Sequence, residues 1–350
     1  MRVTQSMLSA NSLRHIQNSY KNLGKLEEQL TTGKKVSRPS DDPVVAMKGM
    51  RYRSQVVEVE QFNRNLSEVY NWMDNGDAAL DEVNSVMQRI RELTNQAAND
   101  TYETKQRQAI ASEVKQLRVH LESLANTKVN NKYIFNGSDT SAKPVDLSKV
   151  DKEIDLSAIT ADNAKDYALF AQDGKQLLWN DISGGFVDSN GTKVEIPVSG
   201  DYVAKEIGAV SVNQRDVDME VTKGVNLNVN ITPQNVFSLE FFSDLGDLVK
   251  TLESPETKGE DVSEFLGKLD GHVDQIISER AELGARYNRV EMVESRLLSQ
   301  EIIAKSTMSE NEDIDAEKTI IELTSQETLH RASLAVGAKM IQPSLIDFLR

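Results

Sequence analysis

Apolar residues recur every three or four positions along both ends of this chain, which is the spacing of one face of an α-helix. The clearest run alternates steps of three and four over twelve positions without a slip: Val59, Phe62, Leu66, Val69, Met73, Gly76, Leu80, Val83, Met87, Ile90, Thr94 and Ala97. A mean spacing of 3.5 residues is typical of a coiled coil or a long helix bundle. We therefore predict one long helix from Pro43 to about Asn99, followed by a third helix that carries Ile110, Val114, Leu117, Leu121 and Leu124.

The C-terminal part of the chain repeats the pattern. One seven-residue register, broken by Arg280 and Glu294, collects Val262, Leu266, Leu269, Val273, Ile276, Leu283, Tyr287, Val290 and Leu297. There is no proline from Val44 to Lys143 or from Glu256 to Gln342, so neither stretch contains the residue that most often interrupts a helix. Long helices at both ends are expected to pair, because neither can bury its apolar stripe alone.

A shorter helix is predicted at each terminus. The first runs from about Ser12 to Leu30, with Asn11 or Ser12 as its cap and the stripe Leu13, Ile16, Tyr20, Leu23, Leu26 and Leu30. The last follows the acidic stretch from Glu310 to Asp315 and carries Ile320, Leu323, Leu334, Ile341, Leu345 and Phe348. A helix of about eighteen residues is marginal on its own in water. We expect these helices to order when they pair and stack on neighbouring subunits.

The first two helices are joined by the loop GKKVSRPSDDP, from Gly33 to Pro43. Gly33 suits the left-handed position after a helix end. Asp42 is expected to cap the second helix, and Pro43 suits its first position.

The middle of the chain has a different pattern. Val225, Leu227, Val229 and Ile231 alternate with asparagines, as in a half-buried strand, and Asp173-Gly174 and Asn190-Gly191 are hairpin turn signals. The predicted fold class is mainly α, with a long coiled-coil-like rod formed by both chain ends and an inserted β-rich domain. Its segments are the N-terminal assembly helix and loop (1–42), the N-terminal half of the rod (43–139), the insert (140–258), the C-terminal half of the rod (259–310) and the C-terminal assembly helix (311–350).

Composition narrows the function. The net charge of −15 disfavours nucleic acid, whose binding depends on Lys and Arg at phosphates. Residues 140–260 hold 11 basic and 21 acidic residues, as a solvated outer domain would. There is no cysteine, no HExxH and no glycine-rich phosphate loop, and His15, His120, His272 and His330 are far apart in the sequence. We predict no enzyme activity, no catalytic, metal or cofactor site and no membrane insertion.

Four stretches resemble the flagellin family. They are EQLTTGKKVSRPSDDP (28–43), LANTKVNNKYIFNG (124–137), ERAELGARYNRVE (279–291) and LAVGAKMIQPSLIDFLR (334–350). They occur in the family's order and cover roughly residues 1–140 and 260–350. The run from Arg38 to Pro43, the opening MRVTQSML and the ending PSLIDFLR are similar to the branch of the family that forms the junction between hook and filament.

The resemblance implies a structural subunit of the bacterial flagellum, in a junction layer that templates flagellin assembly. It implies an extracellular location and export by the flagellar type III apparatus with an export chaperone, without a cleaved signal peptide. The implied partners are other copies of the chain, the first hook-associated junction protein and flagellin. The expected assembly interface is Leu13, Ile16, Tyr20, Leu23, Leu30, Leu334, Ile341, Leu345 and Phe348. The expected loop and cap residues are Gly33, Arg38, Pro39, Asp42 and Pro43.

Other interpretations remain open at this point. The closest is a filament flagellin, with the same fold and a propagating polymer. Another class is a glycan-binding or enzymatic module in residues 140–258 on a helical stalk, where Tyr167, Trp179 and Phe186 would stack on a sugar. A coiled-coil signalling stalk is disfavoured by the absence of a membrane-spanning stretch. The two arms could also form a purely intramolecular bundle with ordered, protease-resistant ends.

Overall fold

The computed structural model describes residues 5–99, 103–152, 154, 156, 159, 163–171, 176–180, 184–187, 193–194 and 202–341. The chain divides into two compact units. The terminal unit comprises Met1–Gln61 and Arg296–Arg350, and the central unit comprises Phe62–Ser295. The fold is mainly helical with a small strand-containing middle region, as predicted.

The described residues form eight α-helices: α1 (Gln5–Thr32), α2 (Pro43–Ala97), α3 (Thr104–Ala125), α4 (Leu147–Val150), α5 (Pro233–Val236), α6 (Leu239–Glu253), α7 (Gly259–Glu312) and α8 (Ala316–Ile341). The long helix predicted from Pro43 is therefore confirmed as α2. The expected cap of the first helix is wrong, because α1 already begins at Gln5 and both Asn11 and Ser12 lie inside it. Asn11 instead accepts a hydrogen bond from Arg14 of the next turn, at 2.6 Å.

The stripe of α2 is the core that the spacing predicts. Eleven of its twelve positions are buried, and only Phe62 is partly exposed. The two polar breaks in the stripe of α7 have partners on α2 within the central unit. Arg280 donates to Asp77, at 2.7 Å, and to Asp81. Glu294 accepts a hydrogen bond from the Tyr70 hydroxyl at 2.7 Å. These polar pairs therefore keep the α2–α7 contact continuous where the apolar register stops.

The middle of the chain contains more helix than its alternation suggests. Ser238 caps α6 by accepting from the Phe241 amide at 3.0 Å, and α6 buries Phe241, Phe242, Leu245, Leu248, Val249 and Leu252 against its surroundings. The β-rich character predicted for the insert, residues 140–258, is therefore wrong over Leu239–Glu253. The apolar residues there have helical spacing, although the run just before them alternates apolar residues with asparagines.

Strands form three small antiparallel sheets among the described residues. The largest contains β3 (Tyr167–Ala171), β4 (Gln176–Asn180), β5 (Gly185–Val187), β6 (Lys193–Val194) and β7 (Tyr202–Glu206), in the order β6-β5-β4-β3-β7. The flanks of both predicted hairpins pair as expected, β3 with β4 and β5 with β6. The turns Asp173-Gly174 and Asn190-Gly191 themselves lie outside the described residues.

Two further hairpins flank this sheet in sequence. β1 (Lys128–Val129) pairs with β2 (Lys132–Tyr133) around Asn130 and Asn131, both with positive φ, as a tight hairpin turn requires. β8 (Asp218–Thr222) pairs with β9 (Val225–Asn228), so the strand predicted from Val225 to Ile231 is confirmed as far as Asn228.

Candidate functional site

Helices α1 and α8 pack against each other in the terminal unit, along a seam of small and polar residues. Ser19 is buried, and its hydroxyl oxygen lies 3.2 Å from the side-chain nitrogen Nε2 of Gln326 and 3.3 Å from Nδ1 of His330. Further along, a Cβ on Gly337 would lie 3.0 Å from Cδ1 of Ile16. As the α1 numbers rise from 16 to 19, the α8 numbers fall from 337 to 326, so the two helices are antiparallel.

This seam leaves large apolar side chains uncovered on both helices. A residue of this kind buried on assembly gains about 1.5–3 kcal/mol, and contiguous exposed apolar patches commonly mark interaction sites. The exposed fractions are Leu13 48%, Tyr20 68%, Leu30 37%, Ile320 49%, Ile321 69%, Leu329 57%, Leu334 47% and Val336 51%. The α1–α8 pair is therefore the candidate assembly site.

The structure divides the sequence-predicted interface residues into two groups. Ile16 and Leu23 are partly buried, and Ile16 lies in the seam with α8. The second group is exposed and consists of Leu13, Tyr20, Leu30 and Leu334. Leu345 and Phe348 lie outside the described residues, as does the side chain of Ile341.

The loop and cap residues have the geometry that their sequence favours. Gly33 has φ +70° directly after α1, and Asp42 Oδ1 accepts from the amides of Val44 and Val45 at 2.9 and 3.1 Å. Pro43 is the first residue of α2, where its missing N–H costs nothing.

Arg38 and Asp41 close a tight turn inside this loop. The Asp41 amide donates to the Arg38 carbonyl at 3.0 Å, and the Arg38 amide donates to the Asp41 carboxylate at 3.1 Å. Pro39 occupies the second position of this four-residue turn, which its fixed φ suits. Of the two neighbouring aspartates, Asp42 therefore caps α2 as predicted, whereas Asp41 closes the turn.

Sequence reasoning missed a polar cluster around the buried Glu312 that joins this loop to the α7–α8 junction, and the cluster lies wholly within the terminal unit. Backbone hydrogen bonds connect Lys35 to Glu312 at 2.6 Å and Ile314 to Gly33 at 3.0 Å. Glu312 is 6% exposed, and its carboxylate accepts two hydrogen bonds from Arg53, both at 2.7 Å. The only sequence signals were the pair Lys34-Lys35 and the acidic stretch after Ser309.

These contacts shift the pKa values of the two acids in the cluster. The hydrogen bonds from Arg53 hold the pKa of the Glu312 carboxyl below its ordinary value, despite its burial. The ammonium group of Lys34, 2.6 Å from Asp313, lowers the pKa of the Asp313 carboxyl in the same way. Glu312 and Asp313 therefore stabilise the contact between the loop and the α7–α8 junction in their charged forms.

The aromatic residues that a glycan-binding module would use for stacking are packed in the core of the five-stranded sheet or against it. Phe186 is fully buried in the core of the five-stranded sheet, and Trp179 meets it edge-to-face at 5.3 Å between ring centroids. In the central unit, a groove of about 770 Å³ contains Asp74, Asp77 and Asp81, but it lies between α2 and α7. Its carboxylates are engaged by Arg280 and Tyr287.

Among the described residues, no group of His, Asp and Glu is placed to hold a metal ion. No helix there is long and apolar enough to cross a membrane. His272 is buried beside Asp244, with Nε2 3.0 Å from Oδ2, which is a packed structural histidine.

Paired terminal helices with exposed apolar faces define a class of protein, a helical subunit that assembles with other chains. Two family models match, the bacterial flagellin N-terminal helical region over residues 3–140 and the bacterial flagellin C-terminal helical region over residues 266–349. Together they span well over half of the chain. The chain belongs to the flagellin family and is a structural component of the bacterial flagellum.

Individual relatives match almost end to end. The chain is 25% identical to flagellar hook-associated protein 3 of Escherichia coli K12, over 99% of both chains. It is 22% identical to a flagellin of Clostridium tyrobutyricum, over 98% of this chain and 99% of that one. A solved structure described as a flagellar hook-associated protein from Vibrio parahaemolyticus superposes with a TM-score of 0.56 at 17% identity, covering 78% of this chain and 100% of the other.

Proposed function

We propose that this protein forms the junction layer between the hook and the filament of the bacterial flagellum and templates flagellin assembly. The observation that carries the proposal is the exposed apolar face of the α1–α8 pair, in a chain that matches hook-associated protein 3 over 99% of its length. An apolar face of this kind needs a partner in its working state.

The turn from Arg38 to Asp41 supports the junction role over a filament role. Pro39 presets the turn, and Pro43 begins α2 directly after the Asp42 cap. Both prolines belong to the run that resembles the junction branch of the family. The proposed division into assembly helices (1–42 and 311–350), rod halves (43–139 and 259–310) and an outer insert (140–258) follows from the same role.

The proposed partners are other copies of the chain, the first hook-associated junction protein and flagellin. The proposed location is extracellular, at the hook–filament junction. Export would use the flagellar type III apparatus with an export chaperone, without a cleaved signal peptide. The role is structural and requires no catalytic residue, metal or cofactor.

Deletion of the gene in its host tests the function. Flagella are examined by electron microscopy while the culture medium is blotted for flagellin. Hooks without filaments, with flagellin shed as monomer, are expected, and a plasmid copy of the wild-type gene should restore filaments. Normal filaments in the deletion strain would contradict the junction role.

The alternative is a filament flagellin, which is not favoured: the 22% identity to the Clostridium tyrobutyricum flagellin is lower than the 25% identity to hook-associated protein 3 of Escherichia coli. The same deletion separates the two. Loss of filaments with no flagellin-like protein in the medium would identify this chain as the filament subunit. Polymerisation of the purified chain into long filaments would point the same way.

A further inference from the structure

Two tyrosines meet where α2 and α7 pack together in the central unit. The rings of Tyr70 and Tyr287 lie edge-to-face, with their centroids 5.3 Å apart and their planes inclined at 64°. Both side chains are half-buried. Among the ring contacts of the described residues, no other joins two tyrosines. The pair therefore brings two oxidisable phenols together on different helices.

Each of these tyrosines is hydrogen-bonded to a carboxylate of the opposite helix. The Tyr70 hydroxyl donates to Glu294 of α7 at 2.7 Å, and the Tyr287 hydroxyl donates to Asp74 of α2. Asp74 follows Tyr70 by four residues, and Glu294 follows Tyr287 by seven, so each helix presents its tyrosine and its carboxylate on nearly the same face. The arrangement is reciprocal, because each helix supplies one phenol and one base.

The surroundings keep both phenols protonated. Burial, and then the hydrogen bond to Glu294, raise the pKa of the Tyr70 phenol above its ordinary value. Burial, and then the charges of Asp74 and Glu291, raise the pKa of the Tyr287 phenol in the same direction. A protonated phenol that loses an electron becomes a strong acid and must release its proton. The hydrogen-bonded carboxylates are positioned to accept that proton.

The pair is also open to reagents from solution. Tyr287 and Asp74 line the groove of about 770 Å³ in the central unit. A Cβ on Gly284, about one turn before Tyr287, would meet nothing within 4 Å. The approach to Tyr287 over this turn of α7 is therefore free of other side chains.

We propose that Tyr70 and Tyr287 form an oxidative cross-linking site, at which one-electron oxidation joins their rings as dityrosine and ties α2 to α7. The oxidant is of the peroxidase class, a haem peroxidase that acts with hydrogen peroxide. The site lies wholly within the central unit, so it does not depend on the proposed assembly of α1 and α8 with other chains.

The reaction balances as follows in atoms and electrons. Each phenol gives one electron to the oxidant and its proton to the hydrogen-bonded carboxylate, Glu294 for Tyr70 and Asp74 for Tyr287. The two phenoxyl radicals form one carbon–carbon bond between ring carbons next to the oxygens. The hydrogens on those carbons move to the oxygens as the rings regain aromaticity. The net loss is two electrons and two protons, which reduce one hydrogen peroxide to two waters.

The purified full-length chain is used for the test, at a concentration where it is monomeric by gel filtration. It is treated with a haem peroxidase and one equivalent of hydrogen peroxide, and the monomer band is isolated after denaturing electrophoresis. Tryptic peptides are then searched by mass spectrometry for dityrosine cross-links, which weigh two hydrogens less than the sum of the peptides. The same reaction in concentrated urea shows the coupling of the eight tyrosines without the fold.

The expected product in the folded monomer is one cross-link between the peptides of Tyr70 and Tyr287, and urea should abolish this selectivity. Tyr70→Phe and Tyr287→Phe keep the rings but lack the phenol, and each should remove the product. Tyr52→Phe on the same helix as Tyr70 is the control and should leave it unchanged. Dityrosine between other residues only, or no dityrosine in the folded monomer, would overturn the proposal.

The role of the carboxylates is tested by the rate of coupling. Glu294→Gln keeps a hydrogen-bond acceptor for Tyr70 but cannot take its proton. The cross-link should form roughly tenfold more slowly in this variant, less than a fully positioned base contributes, because water remains an alternative acceptor at a half-buried site. Glu291→Gln, which removes a nearby charge that is not the acceptor of either phenol, should change the rate little. Equal rates in both variants would refute the proton-acceptor role.

Cross-linking should also stabilise the central unit. The bond joins residues far apart in the chain, so it restricts the unfolded state, as a disulfide across a long loop does. The urea midpoint of the oxidised wild-type chain should rise, whereas oxidised Tyr70→Phe should keep its own midpoint. A cross-linked chain with an unchanged or lower midpoint would show that the bond strains the α2–α7 contact, and would contradict the proposed site.

Discussion

Gly33 and Gly24 differ in backbone conformation: Gly33 has a positive φ directly after α1, whereas Gly24 lies within the helix. Gly33 has φ +70°, and a Cβ there would meet open space, so only the backbone conformation disfavours a side chain. Gly33→Ala should destabilise the α1 end by about 1–2 kcal/mol, the cost of a left-handed non-glycine residue. The free energy of opening of the α1 amides, from hydrogen exchange, measures it.

Gly24→Ala is the matched control for this substitution. Gly24 lies inside α1, and a Cβ there also meets nothing within 4 Å. Alanine should therefore stabilise the helix by about 0.5–1 kcal/mol, the helix-propensity difference from glycine. Equal effects of the two substitutions would show that φ at Gly33 is not the reason for the glycine.

Glu312 supplies a buried, doubly hydrogen-bonded carboxylate at the α7–α8 junction. Glu312→Gln keeps the shape but removes the charge that Arg53 pairs with, at 2.7 Å. We expect a loss of about 1–2 kcal/mol in the opening free energy of the junction amides, at the low end for charged hydrogen bonds because Arg53 is largely exposed. Glu28→Gln on the exposed face of α1 should leave it unchanged.

The same residue sets a pH dependence with a definite sign. The pKa of Glu312 is lowered from 4.5 in the folded chain, so its contribution is complete above about pH 4.5 and is lost as the pH falls through the lower folded value. Hydrogen exchange of the junction amides between pH 6 and pH 3 should show an acid loss of protection. Glu312→Gln should reduce this loss to the part that Asp313 contributes, and an unchanged acid limb in that variant would refute the assignment.

At the scale of elements, two methionines differ in burial, so their substitution distinguishes the effect of burial from the effect of residue type. Met73 of α2 is fully buried, whereas Met292 of α7 is 67% exposed. Met73→Ala should cost about 2–5 kcal/mol through lost transfer and a cavity, and Met292→Ala should stay within about 0.5 kcal/mol. Urea unfolding followed by far-ultraviolet circular dichroism gives both values. Similar losses would mean that the α2 stripe is not the core of the central unit.

Hydrophobic periodicity predicts the elements in which the buried residues lie along one face of a single helix. The α2 stripe is buried as its spacing predicts, and Gly33, Asp42 and Pro43 adopt the conformations that their own backbone and side-chain chemistry favours. Helix periodicity and these backbone conformations depend on neighbouring residues, so a single sequence is enough to predict them. The flanks of the β3–β4 hairpin were predictable for the same reason.

Contacts between distant segments could not be predicted from spacing. The α1–α8 seam is made by Ser19, Gln326 and His330, so the predicted apolar stripes are split between the seam and the exposed surface. The pairing of Arg53 with Glu312 joins residues 259 positions apart. Many charged residues lie in these segments, and a single sequence does not show which of them pair in the folded chain.

At the scale of the whole molecule, the strand-rich segment leaves and rejoins the chain at neighbouring points. The Asp146 amide donates to the Ala209 carbonyl at 2.9 Å, and the Ser211 amide donates to the Pro144 carbonyl at 2.8 Å. Further in, Ile154 and Ala204 are antiparallel bridge partners. The chain between this last pair can therefore be replaced by a hairpin turn without separating the residues on either side.

Replacing residues 155–203 by an Asn-Gly turn removes the body of the five-stranded sheet and keeps its anchors. Arg118 retains Asp151, at 2.6 Å, and Lys205 retains the Val150 carbonyl, at 3.0 Å, so the buried charges outside the excised segment stay paired. Because the sheet core of Leu169, Leu177 and Phe186 is removed together, the remaining helices should keep their circular dichroism signal and unfold cooperatively. The variant should restore filaments to the deletion strain, since the proposed assembly site lies wholly on α1 and α8. A folded variant that leaves hooks bare would show that the excised segment takes part in the junction.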